Sequence, residues 1–401
     1  MADSNENKYQ VCVVTGTRAE YGLLKELLFK LRDDIRCKLT LVVTGSHLVE
    51  RFGNTQKEIM EDGFEDFIKV PIPLEDDSKP GMAKATGIAL QKFSELFTDY
   101  KPDICIVLGD RFEIFAVAAA AHLIGIPVAH ISGGDVTEGA VDDAMRHCIT
   151  KLSSLHFPGC EQSAKRIIQM GEQPDRVFNV GEPGVENCLK VTCMSRRELA
   201  DNLNFEGIMG DYAVVTFHPV TMENSTAAYQ LHELIGAMEE FPDISYIITK
   251  ANADAEGRIV NDIWQQEMEK HANWKLVSSL GMVRYLSAVK YAKVVIGNSS
   301  SGIYEAPSMG TPTINIGDRQ KGRMMAESIV SCLPEKEKIT ASIKEVLKDG
   351  FQQKAKNIVS MYGDGTTSVQ IVSHVMEYLH KSSKTTKKQF YDIDFVLTEK
   401  G

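Results

Sequence analysis

The sequence predicts an α/β chain built of two doubly wound domains that face each other across a cleft. Three observations predict it. Short, almost continuously apolar runs alternate with stretches whose apolar residues recur at helical spacing, the pattern of a parallel sheet covered on both faces. That pattern restarts near residue 211, and 401 residues suit two or three domains. The apolar runs also end in small polar turns, where doubly wound sheets place their ligands.

Taken in order, residues 10–14 (Gln-Val-Cys-Val-Val) read as a buried strand and 21–32 as an amphipathic helix. Residues 37–44 are strand-like, 55–62 helical, and 82–100 a long helix with apolar residues at helical spacing. A strand at 103–108, a helix at 114–123 and a strand at 127–131 follow. Then come a helix at 142–154, a short strand at 155–157 and a helix at 161–170. The second half repeats the alternation. Strands are predicted at 212–217, 244–249, 275–277, 294–296 and 312–316, with helices at 227–240, 259–271 and 282–291. The join lies within 184–210. The predicted division is 1–190, 191–375 and a tail from 376 to 401. The last helix covers 369–381. Beyond it Phe390-Tyr-Asp-Ile-Asp-Phe395 is too apolar for a free tail and is expected to dock back.

Composition excludes several classes. The formal net charge of −11 argues against nucleic-acid or membrane-surface binding, which needs a basic surface. Residues 1–8 are polar and lack the apolar core of a secretory signal. The longest apolar run, 114–128, is interrupted by His122, Gly125 and Pro127, so it reads as helix then strand rather than a membrane span. The eight cysteines form no Cys-x-x-Cys pair and are read as reduced thiols of a cytoplasmic protein, with no metal site.

The polar turns carry the chemistry. Gly297-Asn298-Ser299-Ser300-Ser301 links a strand to a helix, where unsatisfied backbone N–H groups and hydroxyls favour an anion. Glu305, one to two turns further on, suits the hydroxyls of a ribose. A plain helix cap accounts for the same residues equally well. At the first strand's end, Gly16 permits close backbone approach and Arg18 offers a bidentate phosphate donor, although no GxGxxG dinucleotide fingerprint is present. Asp110 and Arg111 end the strand at 103–108. Next comes a segment with four carboxylates in nine residues, Asp135, Glu138, Asp142 and Asp143. Helical spacing pairs Asp142 with Arg146 and Asp143 with His147. These are either ordinary helix-start acids or, with His147 and Asp110, an acid–base apparatus whose crowded carboxyls raise one another's pKa. His218 and Asn252 lie at strand ends of the second half. There His218 is placed to neutralise a phosphate or orient a leaving group. Arg319, Lys321 and Arg323 form a basic loop suited to a pyrophosphate.

Taken together, the segments TGTRAEYG (15–22), TGSHL…FGNT (44–55), VLGDRFE (107–113), GGDVTEGAVDDAMRH (133–147), ITKLSSLHF (149–157), FHPVT (217–221), IGNSSSGIYE (296–305) and INIGDRQKGR (314–323) resemble the hydrolysing UDP-N-acetylglucosamine 2-epimerases. The closing FYDI is similar to that of bacterial members. The resemblance implies two Rossmann-like domains of GT-B-like type, with UDP held mainly by the second and the sugar and acid–base groups by the first. It implies that Ser299 and Ser300 hold the diphosphate, Glu305 the ribose, and that Leu280 borders the uracil. His218, Asn252, Arg319, Arg18 and Arg111 complete the site, and Asp110 and Asp142 match acids of the reaction. The implied reaction eliminates UDP to a 2-acetamidoglucal, which water converts to N-acetylmannosamine for sialic acid synthesis, without metal or NAD. A homodimer or homotetramer is also implied. One position departs: Ser132 stands where animal members carry a glutamate and some bacterial ones a histidine. Asp135, Glu138, His147 or a water held by Ser132 are then the groups available for that role. The rival readings are the corresponding enzyme for UDP-2,4-diacetamido-trideoxyglucose, a GT-B glycosyltransferase, and a non-catalytic UDP-sugar sensor.

Overall fold

The computed structural model describes residues 8–76, 78–137, 141–219, 227–251, 255–278, 280–381 and 387–394. Among these, strands β1 (Tyr9–Thr15), β2 (Cys37–Thr44), β3 (Phe67–Val70), β4 (Ile104–Leu108), β5 (Val128–Ile131) and β6 (Leu155–Phe157) form one sheet. Its order is β3-β2-β1-β4-β5-β6, parallel throughout. Strands β7 (Tyr212–Thr216), β8 (Ser245–Thr249), β9 (Trp274–Val277), β10 (Val294–Gly297), β11 (Thr313–Ile316) and β12 (Ile329–Cys332) form the other. Its order, β12-β11-β10-β7-β8-β9, repeats the first with the strands renumbered. Both are the doubly wound order, which reverses direction between β1 and β4 and between β7 and β10.

The interleaved helices are α1 (Arg18–Asp33), α2 (Gln56–Glu61), α3 (Lys79–Asp99), α4 (Phe112–Ile124), α5 (Val141–Leu152), α6 (Glu161–Gln169), α7 (Pro183–Lys190) and α8 (Arg196–Leu203). They continue with α9 (Ala227–Met238), α10 (Ala255–Glu267), α11 (Gly281–Tyr291), α12 (Ser301–Ser308), α13 (Lys336–Val346), α14 (Asp349–Lys356) and α15 (Thr367–Lys381). No described helix is long and apolar enough to cross a membrane.

The apolar strands read as they do because both sheet faces are covered. Val11 and Val13 of β1 join Leu24, Leu28 and Leu31 of α1 on one face. Cys12 and Val14 join Phe93, Phe97 and Val117 on the other. Helix α1 begins three residues before the predicted start, because Thr17 accepts a hydrogen bond from the Glu20 N–H and caps it. Helix α4 begins two residues early, at Phe112. The strands that the sequence did not show, β3 and β12, are both sheet edges. Only Val70 is buried in β3 and no residue is in β12, so neither leaves an apolar run.

The chain divides into two compact units, one of Met1–Asp135, Asp142–Pro183 and Thr366–Gly401, the other of Val136–Val141 and Gly184–Gly365. The end of the second domain drawn from sequence at 375 therefore differs from the structure. Ile371, Val375, Met376 and Leu379 of α15 are buried in the core that holds α1, which returns residues from 366 onward to the first unit. There Tyr391 N–H donates to the Gly171 carbonyl at 2.9 Å. Lys388 Nζ reaches Glu172 Oε2 at 2.7 Å and the Ser153 carbonyl at 2.8 Å.

Candidate functional site

In the first unit the polar groups gather where the strand order reverses, beyond the carboxyl ends of β1 and β4. Gly16 N–H, just after β1, donates to Glu20 Oε2 at 2.7 Å. Arg111, just after β4, donates from Nε to Glu113 Oε1 at 2.6 Å and lies 3.8 Å from Glu20 Oε1. Both glutamates are buried. Burial, and then the neighbouring Glu113 charge, push the Glu20 carboxyl up to about 8, against the pull of Arg111 and the Gly16 N–H. One proton is thus held at this switch point near neutral pH. Sequence reasoning passed over Glu20 and Glu113. Their signal was the repeated Arg-x-Glu at the two switch-point turns, Arg18-Ala-Glu20 and Arg111-Phe-Glu113. Arg18 itself is directed to Glu58, at 2.8 Å.

The pairing predicted between Asp142 and Arg146 is not the one formed. The buried Arg146 guanidinium pairs through Nη2 with Asp110 and through Nη1 with Asp143 at 3.3 Å, and Nη1 also donates to the Asp135 carbonyl at 3.0 Å. Asp143 and Arg146 share a helix face at i,i+3, and Asp110 stands at the adjoining strand end. Arg146 thereby ties the loop after β5 to the loop after β4. Asp142 keeps an exposed edge, yet surrounding protein strips enough water from its carboxyl to raise its pKa. Asp110 adds to the rise, and Arg111 and Arg146 oppose it. His147 lies 3.6 Å from Asp143, and desolvation lowers its pKa, so the ring is neutral near pH 7. Asp135 is buried, with Oδ1 accepting from Ser163 Oγ at 2.5 Å, which makes it a structural anchor of its loop.

A second carboxylate lies beside the end of β5. Ser132 adopts φ +61°, an uncommon conformation for a residue with a side chain. Its Oγ donates to Glu182 Oε2 at 2.7 Å. Glu182 is 6% exposed and ends a segment that runs along β6, where Phe178 N–H donates to the His156 carbonyl and Val180 N–H to that of Pro158. A Cβ at Gly159 would sit 1.9 Å from Glu182 Oε1, so the absence of a side chain there makes room for the carboxylate. Nothing in the sequence joins positions 132 and 182. Beneath them His130 bridges the Gly109 carbonyl at 2.8 Å and Thr150 Oγ1 at 3.1 Å. Burial lowers its pKa to about 3, so it serves as a neutral strut.

The second unit repeats the placement between β7 and β10. His218 N–H donates to Asn298 Oδ1 at 2.7 Å, and Asn298 Nδ2 returns a bond to the His218 carbonyl at 2.7 Å. Residues 80 positions apart thus lock two neighbouring strand ends together. The Asn298 carbonyl accepts from Arg319 Nη1 at 2.9 Å and Gln320 Nε2 at 2.8 Å, which brings in the loop after β11. Gly297 has φ +138°, and a Cβ there would lie 1.9 Å from the Thr216 carbonyl oxygen. Ser300 precedes α12 and makes no side-chain cap bond, so its hydroxyl is not used up by the helix. Ser301 Oγ pairs with Glu305 Oε2 and with the Tyr285 hydroxyl at 2.6 Å. Burial raises the Glu305 pKa and the Ser301 bond lowers it. Burial, with Arg319 nearby, lowers His218 to about 3, so near pH 7 its ring offers a hydrogen bond, which suits orienting a leaving group, the second of the two roles expected from sequence, more than neutralising a phosphate. Leu280 is buried at the start of α11, its carbonyl accepting from Arg284 Nε at 2.6 Å. Asn252 lies outside the described residues.

The model of a family described as UDP-N-acetylglucosamine 2-epimerase matches residues 30–376. A GDP/UDP-N,N′-diacetylbacillosamine 2-epimerase (hydrolyzing) of Campylobacter jejuni is 40% identical over 325 residues, 81% of this chain and 84% of that protein. A polysialic acid biosynthesis protein of Escherichia coli is 36% identical, covering 96% of this chain and 97% of its own length. Among solved structures, a UDP-GlcNAc 2-epimerase from Neisseria meningitidis, bound to UDP-GlcNAc, superposes with a TM-score of 0.79 at 19% identity over 92% of this chain and 100% of that one.

Proposed function

Because the chain belongs to the UDP-N-acetylglucosamine 2-epimerase family, we propose that it cleaves a UDP-linked 2-acetamido sugar with inversion at C2. The observation that carries this reading is the Asp110–Arg146–Asp142 group, with its raised Asp142 carboxyl, at the first switch point. Abstracting a C–H proton calls for a carboxylate base, and desolvation, with the Asp110 charge adding to it, raises the Asp142 carboxyl above its ordinary value.

The reaction runs in two steps. In the first a carboxylate takes the C2 proton. The C–H electron pair forms the C1=C2 bond, and the C1–O bond breaks with its pair leaving on UDP. The second unit suits that leaving group: the Ser299–Ser300 turn at the start of α12 offers donors, and Arg319 offers positive charge. Glu305 lies within α12 to accept from ribose hydroxyls, and Leu280 offers an apolar edge to the base. In the second step C2 is protonated on the opposite face and water adds its hydroxyl at C1. Both steps are redox-neutral, so no nicotinamide is called for.

The preferred substrate on this reading is UDP-linked 2,4-diacetamido-trideoxyglucose, supported by the 40% identity to the Campylobacter enzyme. UDP-GlcNAc, giving N-acetylmannosamine for sialic acid synthesis, is the second reading, supported by the relative in polysialic acid biosynthesis. Incubation with each in deuterated water, followed by proton NMR, tests both. We expect UDP and a free sugar, inverted and deuterated at C2, formed faster from the diacetamido substrate. Epimerised UDP-sugar without release, or no UDP from either substrate, would overturn the reading.

A further inference from the structure

Inversion at C2 with hydration at C1 asks more of the protein than one base. Water adding to C1 must lose a proton, and the carboxylate that took the C2 proton in the first step is no longer free to accept it. We propose that Ser132 and Glu182 form a relay that holds this water and removes its proton, an inference that rests on the two-step reading above.

The geometry fits that role. Ser132 directly follows β5, whose Ile131 pairs in register with Leu108 of β4, and the Gly109 N–H donates to the Ile131 carbonyl at 3.1 Å. Ser132 and Asp110 thus stand on adjacent strand ends, which lie about 4.8 Å apart in a sheet. Arg146 fixes the two loops to each other by gripping the Asp110 carboxylate and the Asp135 carbonyl. The left-handed backbone of Ser132 is a conformation that a folded protein keeps only where something enforces it, and such residues gather at functional sites. Its hydroxyl proton is committed to Glu182 at 2.7 Å, so toward any other partner Ser132 Oγ presents lone pairs. An oxygen of that kind accepts from a water. Glu182 is buried behind Ser132, and the space left at Gly159 seats it.

The step balances. The water oxygen bonds to C1 of the unsaturated sugar while one water proton moves to Ser132 Oγ. The serine's own proton passes to Glu182 Oε2, leaving Glu182 neutral. C2 takes its proton from a carboxylic acid other than the one that received the first. On reset, the first carboxylic acid and Glu182 release their protons to solvent and the donor acid recovers one. The net loss of one proton matches the extra negative charge on free UDP. Glu182 acts through Ser132 and is a positioning residue.

The test uses the full chain, both substrates, and the variants Glu182→Gln and Ser132→Gly. Glutamine keeps the shape but cannot take the proton, and glycine removes the hydroxymethyl group while accepting the φ of +61° without strain. Products are resolved by proton NMR, with the glycal vinyl proton reporting the halted intermediate. We expect the ratio of released 2-acetamido glycal to free sugar to rise about 100-fold in both variants, the scale of a lost general base. Glu182→Asp should recover part of it. A ratio equal to that of the parent enzyme in folded variants, or both steps falling in parallel, overturns the relay while leaving the two-step reading intact. Absence of UDP release from the parent enzyme with either substrate overturns the reading and the relay with it. Thermal melting establishes folding. If Glu182→Gln fails to fold, Ser132→Gly decides alone.

Discussion

Asp110 meets the buried Arg146 at the end of β4, a half-buried carboxylate held next to a cation it cannot leave cheaply. Asp110→Asn keeps the shape and removes the charge. We expect turnover to fall about 100- to 10,000-fold, the range for a lost acid–base group. Calorimetric UDP affinity should stay within about twofold, since UDP is proposed to bind to other residues. Near-normal turnover would remove Asp110 from the chemistry. Ser300 poses the opposite case, because its hydroxyl caps nothing in α12. Ser300→Ala should weaken UDP binding by about 1–3 kcal/mol, the cost of losing one donor to a charged acceptor, with little change in melting temperature. Unchanged affinity would exclude a Ser300–phosphate bond. At this scale the sequence was uneven. Asp110, Asp142 and the serine turn stood out as dense polar motifs. Glu20 and Glu113 did not, because each lies inside a helix's first turn, where a glutamate is ordinarily a solvated dipole partner. The Ser132–Glu182 bond spans 50 positions with no pattern to announce it.

Helix and strand boundaries decide which side chains reach the switch points. Thr17 capping moves the start of α1 so that Glu20 faces Gly16, and the early start of α4 turns Glu113 under Arg111. In the second sheet the close passage of β10 against β7 leaves no room for a side chain at Gly297. Gly297→Ala should cost about 3 kcal/mol or more, through both the positive φ and the clash with the Thr216 carbonyl. Denaturant unfolding measures it, and a loss below about 1 kcal/mol would show that the strand end relaxes freely. Strands buried on both faces were legible, because a short unbroken apolar run between turn residues is what two covered faces require. The edge strands β3 and β12 were not, since half-exposed edges carry no such run.

Across the molecule, buried titratable groups tie stability to pH. His130 ionises at about 3 in the folded chain against 6.5 unfolded, so its contribution is full above pH 6.5 and is lost as pH falls. For Glu172, burial alone would raise the pKa, but His156, Lys151 and Lys388 outweigh it and bring it to about 2 from 4.5. Its contribution is full above 4.5 and is lost toward 2. Acid therefore destabilises in two stages, the first from the buried histidines His47, His130 and His218, each adding a slope of at most about 1.4 kcal/mol per pH unit. Denaturant melts from neutrality to about pH 5 should show His130→Asn falling less steeply than the parent chain; equal slopes would contradict the assignment. By itself the sequence determined two parallel α/β sheets and the polar turns at their carboxyl ends, because burial periodicity and turn chemistry are local and leave a local trace. The tertiary structure alone decided the rest: the partner of Arg146, the neutral state of His218, the proton at Glu20, the meeting of Ser132 with Glu182, and the return of α15 to the first unit. Each depends on which distant segments share one low-dielectric space, and hydrophobic spacing along a chain carries no information about that.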